Sequence, residues 1–234
     1  MRVPPTSSDP SDQSTIRDAA CVVVIDGSGR EPTLLMGRRH ADQIFLPSKW
    51  VFPGGRVDAD DRELAVRFTG AYAPPDLAPE IRPFALAAVR ELSEETGFVI
   101  GTKELFAGDW ERGWRDFAAA GHAPAPAQLS PLARAITPPG RVRRYDTWFF
   151  MATREALSDT TTTADGELLD LDWFTLGQAR KLDLPNITKL VLEDVVARLN
   201  RSPDLSDEEL PFYYSDACGF RRTLISCRGT VLGP

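Results

Sequence analysis

The segment Arg90–Phe98, which reads RELSEETGF, constrains the fold most because it places three carboxylates on one side of a short helix. At about 3.6 residues per turn, Glu91, Glu94 and Glu95 span roughly 100° of the helix circumference. The opposite side is mostly apolar and carries Ala85, Leu86, Val89, Leu92 and Thr96. We therefore predict a helix over residues 83–96 with one face in the core and the other strongly negative.

This acidic face is unfavourable unless something neutralises it. Like charges three or four residues apart on a helix cost about 0.2–0.5 kcal/mol per pair. Glu94 and Glu95 also lie just before Gly97, a typical helix stop, and the dipole of the last turn disfavours anions by about 0.3–1 kcal/mol. A hard divalent cation bound by the carboxylate oxygens would reverse both penalties. A solvated acidic surface is the alternative, and charge alone leaves both interpretations open.

A second motif lies upstream, where residues 50–55 (WVFPGG) have the pattern of a short strand and a turn. Taken together with Gly55, the acidic segment resembles the signature of the Nudix hydrolases, G-x5-E-x7-R-E-U-x-E-E-x-G-U, in which U is an apolar residue. Arg90–Phe98 fits the second half in full when Phe98 is taken as U. Members of this family hydrolyse diphosphates that link a nucleoside to another group. The resemblance implies an α/β fold, a Nudix-type α/β/α sandwich with a mixed central sheet.

The middle of the signature departs from the family pattern. Arg90 follows Gly55 by 35 residues, whereas the pattern has 14, so the segment is 21 residues longer. We therefore predict a helical or loop insertion at about 59–82, whose first part forms a short helix. The acid expected to pair with Arg90 is one of three candidates, namely Asp58, Asp61 and Glu80.

The long interruption resembles a Nudix subgroup similar to peroxisomal coenzyme A diphosphatases, which hydrolyse CoA or acyl-CoA to 3',5'-ADP and a phosphopantetheine. Residues 46–55 match the CoA-associated pattern L-R-x-x-P-G-x-V-x-F-P-G-G in part: the arginine is missing, and Ser48 stands in place of a glycine. The resemblance implies CoA or acyl-CoA as a substrate. The alternatives are an ADP-ribose or NADH-type pyrophosphatase and, in another class, a catalytically silent Nudix fold that binds a nucleotide.

The same resemblance implies Mg²⁺ or Mn²⁺ as the cofactor. Its ligands would be the carboxylates of Glu91, Glu94 and Glu95, with the carbonyl of Gly54 as a further one. Metal ions screen phosphate oxygens and activate a bound water, so the three glutamates are also the catalytic candidates. Glu167 is the fourth catalytic candidate, as a general base or additional ligand. The alternative interpretation of Glu167 is an ordinary turn acid at the start of a strand.

Basic side chains are the candidates for binding the substrate phosphates. The substrate-binding candidates are Arg38, Arg39, Lys49 and Arg56. Exposed basic residues on strands are also common as solubilising groups, and that alternative stays open. The expected partner is a small-molecule nucleotide diphosphate.

The composition favours an enzyme that acts on small molecules. The 234-residue chain has a net charge of −7, whereas a nucleic-acid surface normally needs a basic footprint, so we predict no nucleic-acid partner. No apolar run reaches about 18 residues and the start lacks a signal-peptide core, which predicts no membrane association. The three cysteines have neither metal-binding spacing nor an even number for disulfides, which favours a cytoplasmic location. Gly27 and Gly29 lack the third glycine of a Rossmann fingerprint, which disfavours an oxidoreductase. A homodimer is left open.

The chain divides into three parts in this interpretation. Residues 1–17 are predicted to be a flexible tail, 18–202 the Nudix domain and 203–234 a C-terminal extension packing on the domain. The predicted strands are 19–25, 33–38, 50–52, 145–152 and 168–174. The predicted helices besides 83–96 are 60–68, 110–120 and 186–199, and residues 121–132 are predicted to be a loop.

Overall fold

The computed structural model describes residues 15–67, 77–104, 112–158, 162–200 and 209–232. Most of the predicted tail, the part of the insertion at 68–76, the start of the predicted 110–120 helix and parts of the C-terminal extension lie outside the described residues. The division into tail, domain and extension stays a prediction.

The described residues form eleven strands and five α-helices. The strands are β1 (Ile16–Asp26), β2 (Thr33–Arg39), β3 (Trp50–Val51), β4 (Gly54–Arg56), β5 (Gly101–Thr102), β6 (Ala123–Pro124), β7 (Ser130–Ile136), β8 (Arg144–Thr153), β9 (Leu168–Thr175), β10 (Glu209–Asp216) and β11 (Gly219–Ser226). The helices are α1 (Ala59–Arg67), α2 (Arg82–Thr96), α3 (Arg112–Ala119), α4 (Leu176–Ala179) and α5 (Asn186–Leu199). Short 3-10 turns occur at Pro126–Gln128 and Arg154–Ala156.

Nine of these strands form one sheet with the order β11-β10-β7-β8-β1-β2-β3, in which β4 also pairs with β1 and β9 with β2. The pairs β1/β8 and β10/β7 are parallel, and the other pairs in this sheet are antiparallel. The central sheet is therefore mixed, as the fold class predicted. Strands β5 and β6 form a separate small sheet.

The side chains of β1 alternate between two hydrophobic cores, because successive residues of a strand point to opposite faces. Ala20, Val22 and Val24 are fully buried in the core that contains α2. Val23 and Ile25 are buried in a second core that contains α5. The sheet is thus covered by helices on both faces, which confirms the predicted α/β/α sandwich.

Helix α2 begins one residue before the predicted start and ends where predicted. Pro83 lies in its first turn, where a missing N–H costs nothing. Gly97 ends the helix with φ of 78°, and its N–H donates to the Ser93 carbonyl at 2.9 Å. A Cβ on Gly97 would lie 2.7 Å from the Thr162 carbonyl oxygen. Glycine is therefore required here both for the left-handed conformation and for the close approach.

The predicted loop at 121–132 was wrong in two places: the short strand β6 lies at Ala123–Pro124 and pairs with β5, and strand β7 begins at Ser130 and pairs with β8 and β10. Pro131 masks this strand in the sequence, since proline is rare inside strands, and the register shifts between Pro131 and Ala133. Strand β1 begins at Ile16, three residues earlier than predicted, because its polar first residues pair in parallel with the start of β8. None of the helices in the described ranges is long and apolar enough to cross a membrane.

Candidate active site

The acidic side of α2 faces into the protein and not into open solvent. Glu95 is 4% exposed, and the side chains of Glu91 and Glu94 are 15% and 26% exposed. The helix packs against β1 and β4 as well as α1 and α3, which encloses it from several directions. This burial excludes the alternative of a freely solvated acidic face.

Arg90 lies at the centre of the acidic cluster and is itself buried, at 5% exposure. Its Nε and Nη2 donate to the two carboxylate oxygens of Asp61, both at 3.0 Å, in a bidentate pair. Asp61 is fully buried, whereas Asp58 lies at 4.0 Å from Nη2. Asp61, at the start of α1, is therefore the main acid paired with Arg90 among the three sequence candidates.

The remaining donors of Arg90 connect it to the glutamates and to the β4 strand. Nη1 lies 3.0 Å from a carboxylate oxygen of Glu91 and donates to Glu94 at 2.8 Å. Nη2 also donates to the Arg56 carbonyl at 2.8 Å. One guanidinium thus serves three carboxylates, and Glu95 lies outside this set, so the cluster keeps an excess of negative charge.

The pKa values of all three glutamates are raised. Burial raises the pKa of Glu91 to about 8, and the charge of Glu94 adds to this although Arg90 opposes it. Burial also raises the pKa of Glu94, against the opposing charge of Arg90. The pKa of Glu95 lies well above its usual range because of burial and the charge of Glu91. Each shift means that the cluster holds its full negative charge at a free-energy cost.

Gly54 and Gly55 allow β4 to approach the cluster closely. The N–H of Gly54 donates to Oε2 of Glu95 at 2.8 Å, and a Cβ on Gly54 would lie 2.3 Å from the Ala20 carbonyl oxygen. A Cβ on Gly55 would lie 2.4 Å from the carboxyl carbon of Glu91. Side chains at these two positions would collide with the sheet or with the glutamate, which explains the two glycines of the upstream motif.

Arg39 and Glu167 lie on the same side of the molecule as the cluster. The charge of Arg39 lowers the pKa of Glu95, and the charge of Glu167 raises it. Gln43 donates to Oε2 of Glu167 at 3.3 Å. The backbone N–H of Asp165, a residue that the sequence analysis did not select, donates to the Glu94 carbonyl at 2.7 Å. The loop before β9 therefore packs on the C-terminal end of α2.

Two of the other three basic candidates, Arg38 and Lys49, have partners outside the cluster. Arg38 forms an ion pair with Asp170 at 2.5 Å, and Lys49 forms one with Asp183 at 2.6 Å. The side chain of Arg56 is exposed, and only its carbonyl contacts Arg90. Roles of Arg38, Lys49 and Arg56 in substrate binding stay predictions.

Besides Asp165, two further residues near the cluster were missed by the sequence analysis. Trp114 of α3 donates from Nε1 to Oδ1 of Asp61 at 2.9 Å, and it had no sequence signal because it lies far along the chain. Cys21 pairs with Gly54 between β1 and β4. Burial and the charge of Glu95 raise the pKa of the Cys21 thiol to about 12, so this thiol is neutral at physiological pH.

The donor set suits a hard divalent cation by its chemistry. Among the described residues, no three His, Cys, Asp or Glu side chains converge into a ready-made metal cage. Glu91 and Glu94 instead bind Arg90, and Glu95 accepts the Gly54 amide. Carboxylate and carbonyl oxygens are the ligands that Mg²⁺ and Mn²⁺ take, and a cation would offset the unneutralised charge. The carboxylates thus suit such an ion by their chemistry, and the roles of the three glutamates and of the Gly54 carbonyl as its ligands stay predictions.

We expect the metal-free protein to become less stable as pH rises from about 5 to about 8. The pKa of Glu91 is about 8 in the folded protein, whereas a glutamate in the unfolded chain has a pKa of 4.5. Between these two values the folded state holds a proton that the unfolded chain has released. Stability then falls by up to about 1.4 kcal/mol per pH unit for this carboxyl. Urea unfolding in EDTA at several pH values measures the slope. Added Mg²⁺ should stabilise most at high pH, and a flat or rising profile would contradict the assignment.

Comparisons with protein-family models and with curated proteins give no match. Among solved structures, a Nudix hydrolase from Alicyclobacillus acidocaldarius matches with a TM-score of 0.61 and 26% identity, over 79% of this chain and 93% of that one. The Nudix domain of Shewanella oneidensis NrtR, complexed with ADP ribose, matches with a TM-score of 0.49 and 14% identity over 82% and 94%. A MutT Nudix hydrolase from Burkholderia pseudomallei matches with a TM-score of 0.45 and 16% identity over 77% and 98%.

The NrtR and Burkholderia matches are too distant to carry an argument about this chain. The likeness to the Alicyclobacillus protein extends over most of both chains. The α/β/α arrangement and this likeness together show that the chain has the fold of the Nudix hydrolases.

Proposed function

We propose that this protein is a metal-dependent hydrolase of diphosphates that link a nucleoside to another group. The observation that carries the proposal is the cluster of Glu91, Glu94 and Glu95, of which Glu95 is buried and the other two partly buried, and whose charge Arg90 neutralises only in part. Buried carboxylates with raised pKa values are costly for a fold and are typical of functional sites. A bound divalent cation accounts for this cost, and a purely structural role does not.

The chain's own residues divide the work in this proposal. Mg²⁺ or Mn²⁺, held by the three glutamates and the Gly54 carbonyl, would screen the diphosphate and acidify a bound water. Arg90, fixed by Asp61, orients Glu91 and Glu94. Glu167 is the proposed general base, supported by the effect of its charge, which raises the pKa of Glu95; a turn acid with no catalytic role is its alternative.

Arg39 is the best-supported of the basic candidates for binding a substrate phosphate. Its charge lowers the pKa of Glu95, and its Nε donates to the Phe45 carbonyl at 3.1 Å. The ring of Phe45 contacts that of Tyr145 edge-on, with centroids 5.0 Å apart. Both rings are only half-buried, so an apolar surface suited to a nucleobase lies beside a phosphate-binding group.

CoA or acyl-CoA is the first substrate to test. Ser48, which stands in place of the glycine of the CoA-associated pattern, has φ of 59°, and Leu46 has φ of 55°. These left-handed conformations favour glycine, so the loop keeps at Ser48 the backbone conformation that a glycine would adopt. ADP-ribose and NADH are the alternative substrates. We also propose that the partner is a small molecule, that the protein binds neither nucleic acid nor a membrane, and that it is cytoplasmic. A homodimer is left open.

The test is a screen of CoA, acyl-CoAs, ADP-ribose, NADH, dinucleoside polyphosphates and nucleoside triphosphates with Mg²⁺ or Mn²⁺, with products identified by mass. We expect cleavage of a diphosphate bond that stops in EDTA and returns with the metal. Turnover that persists after exhaustive chelation would contradict the metal-dependent mechanism. Tight nucleotide binding without hydrolysis of any compound would favour the catalytically silent alternative.

A further inference from the structure

We infer that Trp114, in a helix outside the family signature, is a positioning residue for the metal-binding carboxylates. The inference rests on the proposed function and assigns a role to α3, which that function does not otherwise use. Trp114 is fully buried, and its indole Nε1 donates to Oδ1 of Asp61 at 2.9 Å. It is therefore connected to the acidic cluster through a single carboxylate.

Asp61 receives donors on both of its oxygens. Oδ1 accepts from Trp114 Nε1 and from Arg90 Nε, at 2.9 and 3.0 Å. Oδ2 accepts from Arg90 Nη2 at 3.0 Å and from the backbone N–H of Asp58 at 2.8 Å. Four donors in different directions leave this carboxylate one orientation. Without the indole donor, Oδ1 keeps one partner and the plane of the carboxylate is less strongly fixed.

The orientation of Asp61 is passed on to two of the three glutamates. Asp61 binds one edge of the Arg90 guanidinium, and the remaining nitrogen of that rigid group contacts Glu91 and Glu94. Glu95 is held separately by the Gly54 amide. Trp114 therefore affects Glu91 and Glu94 indirectly. The hydrogen bonds run from Trp114 to Asp61, from Asp61 to Arg90, and from Arg90 to the two glutamates.

Packing alone does not account for the choice of tryptophan at this position. The ring of Trp114 lies edge-on to that of Phe117 in the same core, with centroids 5.5 Å apart, and a phenylalanine would fill most of the same space. The indole N–H must have a partner when it is buried, and the partner here is the carboxylate that fixes Arg90. Phe117 offers a matched control, because it is fully buried on the same helix and carries no polar group.

The test compares Trp114→Phe with Phe117→Leu. We expect Trp114→Phe to weaken Mn²⁺ binding, measured by electron paramagnetic resonance without substrate, by about 10-fold or more, as is typical for loss of a supporting contact to a metal site. In the same variant kcat at saturating metal should fall while KM stays near the wild-type value. Phe117→Leu should lower the melting temperature but leave the Mn²⁺ affinity within about twofold.

A second variant keeps the test decisive if Trp114→Phe folds poorly. Trp114→His retains a ring N–H donor, so it should recover part of the Mn²⁺ affinity. Wild-type Mn²⁺ affinity in Trp114→Phe, or equal losses in Trp114→Phe and Phe117→Leu, would overturn the inference. Mn²⁺ binding without hydrolysis by the wild type would overturn the proposed function alone, since the affinities still decide the role of Trp114. A wild type that does not bind Mn²⁺ would overturn both.

Discussion

Replacing Glu95 with glutamine should lower kcat by more than about 100-fold while leaving the folded protein at least as stable. Loss of a contact that merely supports a metal ligand costs about 10–100-fold, so loss of the ligand itself should cost more. Glutamine has the same shape and can still accept the Gly54 N–H that Glu95 accepts at 2.8 Å. It lacks the charge that burial and Glu91 disfavour, so the metal-free variant should melt at the wild-type temperature or above.

This pairing of lost activity with retained stability separates a functional carboxylate from a structural one. The measurements are steady-state turnover with Mg²⁺ and the melting temperature in EDTA. Glu193→Gln is the control, because Glu193 lies on α5 and pairs with Arg180 at 2.8 Å, with both side chains about half exposed. Such a surface pair contributes about 0–1 kcal/mol, and its loss should leave turnover unchanged. Near-wild-type turnover in Glu95→Gln would count heavily against the proposed function.

The acidic helix could be predicted because its signals are local. Pro83 and Gly97 mark its ends, and its apolar residues repeat at helical spacing, so its bounds agree with the structure to one residue. The α/β/α sandwich was predicted from the family resemblance. Strand β7 could not be predicted, because it contains a proline and because its pairing with β10 joins residues far apart in the chain. The β10–β11 hairpin is itself local, but it joins the sheet through the long-range pairing of β10 with β7, which no local pattern encodes.

Residues of the candidate site could be predicted where the spacing of the signature specifies them. They could not be predicted where their contacts are with residues far along the chain. Asp61 was one of three candidates in the sequence, and the structure selects it through its bidentate contact with Arg90. The ion pairs of Arg38 and Lys49 with residues more than 130 positions away had no sequence signal. The burial of the glutamates was equally hidden, because it arises from helices that pack around α2 only in the folded protein.

Replacing Asp61 with alanine should lower the free energy of unfolding by about 3–5 kcal/mol, because removal of one partner leaves a buried charge uncompensated. The side chain of Arg90 is 6% exposed and that of Asp61 is 0% exposed. Glu91 and Glu94 still contact Arg90 in this variant, which places the loss toward the lower end of the range. Urea unfolding in EDTA at a pH near 6 measures the change, and turnover should fall as well because Arg90 is no longer fixed.

Two further variants show whether the pair serves stability or function. Asp18→Ala is the control, because Asp18 pairs with the half-exposed Arg62 at 2.6 Å and its loss should cost about 0–1 kcal/mol. In the double variant Asp61→Leu with Arg90→Met, apolar side chains replace the pair, but Glu91 and Glu94 lose the cation that they contact. We expect this variant to regain at most part of the lost stability and none of the activity, because nothing then orients Glu91 and Glu94. Recovered turnover in the double variant would show that the buried pair has only a structural role. If Asp61→Ala lowers the free energy of unfolding no more than Asp18→Ala does, the pair has no structural role either.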